Sequence, residues 1–131
     1  MNTSSRPATG APPPRQLGII DDDPAVRESL CFLLDVSGYP AASFESAQDF
    51  LVRYSRGSLA GLILDHHMPH ITGLELVARL RADGDTMPIL LITGAPSPAI
   101  VARAHTLGVE RVIEKPPSEH ELLQFAAAAL R

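Results

Sequence analysis

Lysine is almost absent from this chain: Lys115 stands alone among eleven basic residues. Cysteine is as scarce, with Cys31 the single one, so no internal disulfide can form, in keeping with a reducing compartment. Cys31 lies among Leu30, Phe32, Leu33 and Leu34 and is expected to be a buried, inert thiol. Tryptophan is missing and aromatics make up 5% of the residues against 45% hydrophobic overall, which leaves a core of Leu, Ile, Val and Ala. No apolar run approaches the roughly 20 residues of a membrane span, and the amino terminus lacks the hydrophobic segment of a signal peptide. Basic charge is lacking too. The net charge is −4; residues 1–15 hold Arg6 and Arg15 and no acid, so the rest carries nine basic against fifteen acidic residues, a balance of −6. An acidic domain without a basic stripe is not expected to bind nucleic acid directly. The expectation is a soluble cytoplasmic protein that contacts neither membrane nor nucleic acid.

A length of 131 residues suits one domain with a core of its own. Residues 1–15, with Pro7, Pro12, Pro13 and Pro14 and little to bury, read as a disordered Pro-rich extension, and the domain as residues 16–131. From Gln16 on, short apolar runs alternate with helical patterns. Leu17–Ile20 is a strand, and Asp23-Pro24 starts a helix to Ser37 that Gly38 stops. Ala41–Phe44 is a second, edge strand after Pro40, and Ser46 caps a helix carrying Phe50 and Leu51. Leu62–Leu64 is the third strand; Thr72 and Glu75 form a capping box for a helix with Leu74, Val77, Ala78 and Leu80 inward. Ile89–Ile92 is the fourth and fully buried, followed by a helix from Pro98 to Leu107 ended by Gly108. Val109–Ile113 is the fifth, and Ser118 with Glu121 caps a last helix with Leu122, Leu123, Ala126 and Leu130 inward. Five strands joined by helical crossovers predict an α/β fold with a parallel sheet covered on both faces.

The chemistry gathers at the strand ends. Asp21-Asp22-Asp23 follows the first strand, Asp65 the third, Thr93 the fourth and Lys115 the fifth. In an open parallel sheet these all reach the edge where ligands bind. Asp21, Asp22 and Asp65 are hard oxygen donors without the Cys and His spacing of zinc sites, which points to Mg²⁺. Asp65 is a candidate nucleophile, because a carboxylate can accept a phosphoryl group. Thr93 offers a hydroxyl and Lys115 a compact positive charge to the same group.

Ile19-Ile20-Asp21-Asp22-Asp23, Asp65-x-x-Met68-Pro69-x-x-x-Gly73, Ile92-Thr93-Gly94 and Glu114-Lys115-Pro116, in this order, resemble the receiver domain of bacterial two-component response regulators, CheY-like and of the FixJ type, over residues 16–131. The resemblance implies a flavodoxin-like three-layer sandwich with a five-stranded parallel sheet of order 2-1-3-4-5. It implies a phosphorylation-dependent switch rather than an enzyme. Asp65 would be the phosphoacceptor. Mg²⁺ would be held by Asp22 directly, Asp21 largely through water, Asp65, and the main-chain carbonyl of His67. Lys115 would meet a phosphate oxygen next to a cis bond to Pro116, and Thr93 would move onto the phosphate and carry the signal to the fourth helix and fifth strand. The donor would be a sensor histidine kinase or histidine phosphotransfer protein. The output would pass to a downstream protein partner or an effector domain absent from this chain.

Two positions depart from the family pattern. Val112 stands where Tyr or Phe usually precedes the lysine by three, so the aromatic rotamer switch cannot operate, and Pro117 stands where Phe often follows Lys-Pro. Three histidines crowd Asp65: His67 is expected beside the phosphorylation site, tuning phosphate turnover, with His66 and His70 as solvated loop residues. Three other readings exist. Asp65-His66-His67 spells the motif of DHH phosphoesterases, though further Asp and His motifs of those enzymes are missing. The imidazoles could hold a transition metal, and a receiver-like interaction module would not cycle phosphate.

Overall fold

Alternation of apolar side chains along each strand decides the layers. In the computed structural model, which describes residues 15–131, the elements are β1 (Gln16–Ile20), α1 (Pro24–Val36), β2 (Ala41–Phe44), α2 (Ala47–Arg53), β3 (Leu59–Asp65), α3 (Gly73–Ala82), β4 (Ile89–Thr93), α4 (Pro98–Thr106), β5 (Arg111–Glu114) and α5 (Glu119–Ala129). The expected extension over residues 1–15 lies, Arg15 apart, outside the described residues. All four strand pairings are parallel, and the order is β2-β1-β3-β4-β5. Leu62, Leu64, Ile89 and Leu91 join Phe50 of α2, Leu76 and Val77 of α3 and Ala104 of α4 on one face. Ile63, Leu90, Ile92 and Ile113 join Leu30 and Leu34 of α1 and Leu122, Phe125 and Ala126 of α5 on the other. This is the flavodoxin-like three-layer arrangement. Each fully buried Leu or Ile contributes about 1.5–3 kcal/mol.

Helix ends follow their sequence signals. Asp23, Ser46, Thr72, Ser97 and Ser118 each accept a backbone N–H of the helix they start, and Thr72 with Glu75 completes the capping box. Two strands differ from expectation by more than one residue. β3 begins three residues early, at Leu59, because this central strand is buried along its whole length and gains pairing with β1 that its weak strand formers Ala60 and Gly61 do not announce. β5 begins two residues late. The N–H of Val109 donates to Ala104 O at 2.9 Å and that of Gly108 to His105 O at 3.0 Å, which closes α4 and keeps Val109 out of the sheet. In α5, Phe125 is buried where Leu123 and Leu130 are only half-buried. In α3, Leu76 is buried and Ala78 half-buried. Cys31 is half-buried, at the margin of the α1–α5 core, and burial pushes its thiol pKa up, as an inert thiol requires.

Candidate functional site

The strand order reverses between β1 and β3: the chain leaves β1 toward β2 on one side and resumes on the other. A crevice opens at such a point beyond the carboxyl ends of the strands. Asp21 follows β1 directly and Asp65 ends β3, so both enter it, each only 3% exposed, while Asp22 stays exposed at the rim. One carboxylate oxygen from each of Asp21, Asp22 and Asp65 lies within 4.8 Å of the others. Asp23 does different work, accepting the N–H of Ala25 at 3.0 Å as the cap of α1.

Two cations brace this acidic group. Lys115 Nζ lies 3.2 Å from Asp65 Oδ1. Arg27, one turn into α1, donates to the main-chain carbonyl of Asp21 at 2.7 Å. The sequence reading missed Arg27. Its signal was a cation near a helix amino terminus, where the dipole disfavours one, which implies a compensating partner. Burial, and then the neighbouring Asp65 charge, push the Asp21 carboxyl above its usual range, opposed by the Asp23 N–H at 2.9 Å and by Lys115. Unit charges of like sign about 5 Å apart repel by about 3 kcal/mol at an effective dielectric near 20; Arg27 meets only a carbonyl, so one lysine stands against three carboxylates and leaves an excess of negative charge. The donors are all hard oxygens and their charge is under-compensated, which fits a hard divalent cation such as Mg²⁺.

Thr93, the last residue of β4, is fully buried. Its hydroxyl accepts the N–H of Ala95 at 3.2 Å and lies 2.8 Å from His67 Nε2, while its carbonyl accepts the N–H of Lys115 at 2.9 Å. His67 also donates its own N–H to Asp65 Oδ1 at 3.2 Å. The Lys115 and His67 contacts both fall on Oδ1; among the described residues no hydrogen bond falls on Oδ2. The Lys115–Pro116 peptide is cis. Close packing fixes the start of α3: a Cβ on Gly73 would come within 2.8 Å of Asp65 O and 2.9 Å of His66 Cα.

The histidines part company. His67 and His70 are exposed, but His66 is not the solvated loop residue expected. It is 9% exposed, and its Nδ1 accepts the N–H of Leu74 at 3.4 Å, because the tight Gly73 turn folds α3 over it. Burial lowers its imidazole pKa. The imidazoles do not form a metal site: among the described residues, the three aspartates are the only group of metal-ligating side chains that converges. Val112 packs, half-buried, against the core on the α2–α3–α4 face, and Pro117 is half-buried beside a depression of about 350 Å³ that Asp21 and Lys115 also line.

The family model described as the response regulator receiver domain matches residues 17–127. The chain is 36% identical over 113 residues to the transcriptional regulatory protein FixJ of Bradyrhizobium diazoefficiens, covering 86% of this chain and 55% of that protein. It is 36% identical over 113 residues to the response regulator protein TodT of Pseudomonas putida, covering 86% of this chain and 50% of that protein. It thus spans about half the length of the curated relatives it matches. Among solved structures, the response regulator StyR superposes with a TM-score of 0.82 at 33% identity over 88% of this chain and 59% of that one. The structure titled FixJ-N superposes with a TM-score of 0.77 at 28% identity over 88% and 93%. With the reversed strand order, the aspartate triad at its crevice and these relatives in agreement, the chain belongs to the response regulator receiver domain family, whose members are phosphorylation-based signalling switches rather than enzymes acting on external substrates.

Proposed function

We propose that Asp65 is the phosphoacceptor of this switch and that Asp21, Asp22, Asp65 and the main-chain carbonyl of His67 hold Mg²⁺ beside it. The observation that carries the reading is the pairing of a buried Asp65 with Lys115 at 3.2 Å inside a triad of converging carboxylates. One carboxylate oxygen of Asp65 attacks the phosphorus of a phosphohistidine, the phosphorus–nitrogen bond breaks, and the donor imidazole leaves with that electron pair. Lys115 stands ready to neutralise an oxygen of the transferring group, and Mg²⁺ held by the aspartates would supply further positive charge there, which is most of what a phosphoryl-transfer site must do. Thr93 then donates its hydroxyl to the phosphoryl group and moves the loop that follows it.

The phosphodonor is a sensor histidine kinase or histidine phosphotransfer protein. The output goes to a downstream protein or to an effector domain joined to a receiver of this kind. A cytoplasmic setting suits such a relay, and no described helix is long and apolar enough to cross a membrane. A donor reaching Asp65 past α1 would also cover Phe32, which is 69% exposed.

Incubation with acetyl phosphate and Mg²⁺, followed by intact-mass measurement, tests the reading. One added phosphoryl group is expected, abolished by Asp65→Asn, which is nearly isosteric and removes only the nucleophile and its charge. No mass change would leave an interaction module, and label that persists in Asp65→Asn on His66 or His67 would contradict the assignment.

A further inference from the structure

His66 and His67 are neighbours in sequence with different surroundings. His66 is enclosed under α3 and serves that turn. His67 is exposed, and its ring reaches across 26 residues of sequence to place Nε2 at 2.8 Å from the Thr93 hydroxyl. Its own N–H meanwhile binds Asp65 Oδ1. One residue therefore touches both the carboxylate and the hydroxyl around which the switch is built.

We propose that His67 is a latch: in the resting protein its imidazole holds the Thr93 hydroxyl and competes for it with a phosphoryl group on Asp65. The proposal rests on the reading of Asp65 as phosphoacceptor. A hydroxyl has a single proton to donate. The N–H of Ala95 already donates to Thr93 Oγ1 at 3.2 Å, so the contact still to be satisfied is the one made with that proton. In the latch the lone pair of Nε2 receives it and His67 is the tautomer protonated on Nδ1; the opposite direction, with Nε2–H donating to the second lone pair of Oγ1, is the arrangement the ring-nitrogen shifts below would expose. A phosphoryl oxygen is an acceptor too, and a stronger one because it is charged. The two demands exclude each other. Thr93 is fully buried, so a hydroxyl leaving the imidazole has no bulk water to turn to and must meet the phosphoryl group instead. The contact also joins the loop after β3 to the last residue of β4, and its loss frees Gly94 to Ser97 to follow Thr93. His67 is thus a positioning residue that biases the switch toward rest. His67 is an exposed residue that belongs to neither core cluster, so replacing its side chain leaves the core packing in place.

Removing the latch should strengthen every ligand that needs the Thr93 hydroxyl. Beryllofluoride, a phosphoryl mimic, is titrated with Mg²⁺ against the full chain and followed by the amide signals of Thr93 and Gly94. His67→Phe keeps a ring but no lone pair, and is expected to bind about fivefold more tightly, the size of one net hydrogen bond. His67→Gln retains an acceptor and should fall between. In a Thr93→Val background the gain should vanish, because the hydroxyl is gone. A second reading comes from nitrogen chemical shifts of the His67 ring, expected to show an unprotonated Nε2 at rest that changes when beryllofluoride binds. Equal affinity of wild type and His67→Phe, the same gain in the Thr93→Val background, or an Nε2-protonated tautomer at rest would each overturn the latch while leaving the phosphoacceptor in place. No beryllofluoride binding by the wild type would overturn the phosphoacceptor reading and the latch with it.

Discussion

Asp21 shows how the site stores its electrostatic cost. Its carboxyl is buried, faces Asp65, and is held above the ordinary range. The folded protein therefore binds this proton more tightly than the unfolded chain. The contribution to stability is full below the ordinary carboxylate value and is lost as pH rises through the raised one. Asp21→Asn keeps an oxygen for the Asp23 N–H and removes the charge. In metal-free buffer at neutral pH, its Tm is expected to exceed that of the wild type by a few degrees, with the difference closing below about pH 4. Mg²⁺ should stabilise the wild type more than the variant, which keeps Asp22 and Asp65 but loses one of the three charges. A neutral-pH Tm below wild type would show that the charge is compensated as it stands. The acids, Thr93 and Lys115 were legible in the sequence because each follows an apolar run that could only be a strand. The separate environments of His66 and His67 were not: the ring that turns inward is selected by the Gly73 packing, which no residue near Asp65 reveals.

At the scale of elements, the start of α3 fixes how Asp65 is presented. The N–H of Gly73 donates to His66 O at 2.9 Å, and Thr72 and Glu75 close the capping box directly after it. Gly73→Ala would drive a methyl group into the backbone of Asp65 and His66, with Leu91 Cδ1 at 2.9 Å blocking retreat. A loss of about 1–3 kcal/mol in chemical denaturation is expected, together with slower labelling by acetyl phosphate, since overpacking here displaces the acceptor itself. Unchanged stability would mean that this backbone yields freely. Capping residues announced four of the five helix starts in the sequence, Ser97 of α4 being the one not singled out, because a side chain that accepts an orphan N–H is a local matter. The ends of β3 and β5 were hidden. Pairing with β1 extends the first, and the closing turn of α4 consumes the Val109 amide that the second would have used.

In the whole molecule, the site and α4 lie on either side of one short loop. Thr93 ends β4, and Ser97 caps α4 only four residues later, with Pro96 and Pro98 restricting the backbone between. The far end of α4 is anchored. The Arg81 guanidinium donates to the carbonyls of Leu107 at 2.8 Å and Gly108 at 3.2 Å, and to those of Asp85 and Met87 at 2.9 Å each. Val112, short and β-branched, cannot act as a rotating ring. Phosphorylation is therefore expected to pivot α4 about its Arg81-held end, a small hinge motion that reaches a partner through the face near Ala99 to Ala104. The parallel sheet and the meeting of the acids with Lys115 were readable from the strand pattern, and the strand order from the family resemblance; the Arg81 anchor depends on tertiary contact and was not. The most direct test compares backbone amide shifts of the Mg²⁺-loaded protein with and without beryllofluoride. Changes are expected at residues 21–23, 65–67 and 93–104, fading toward 105–108. Large changes confined to residues 109–113 and α5, with residues 94–104 silent, would contradict a switch that works through Thr93.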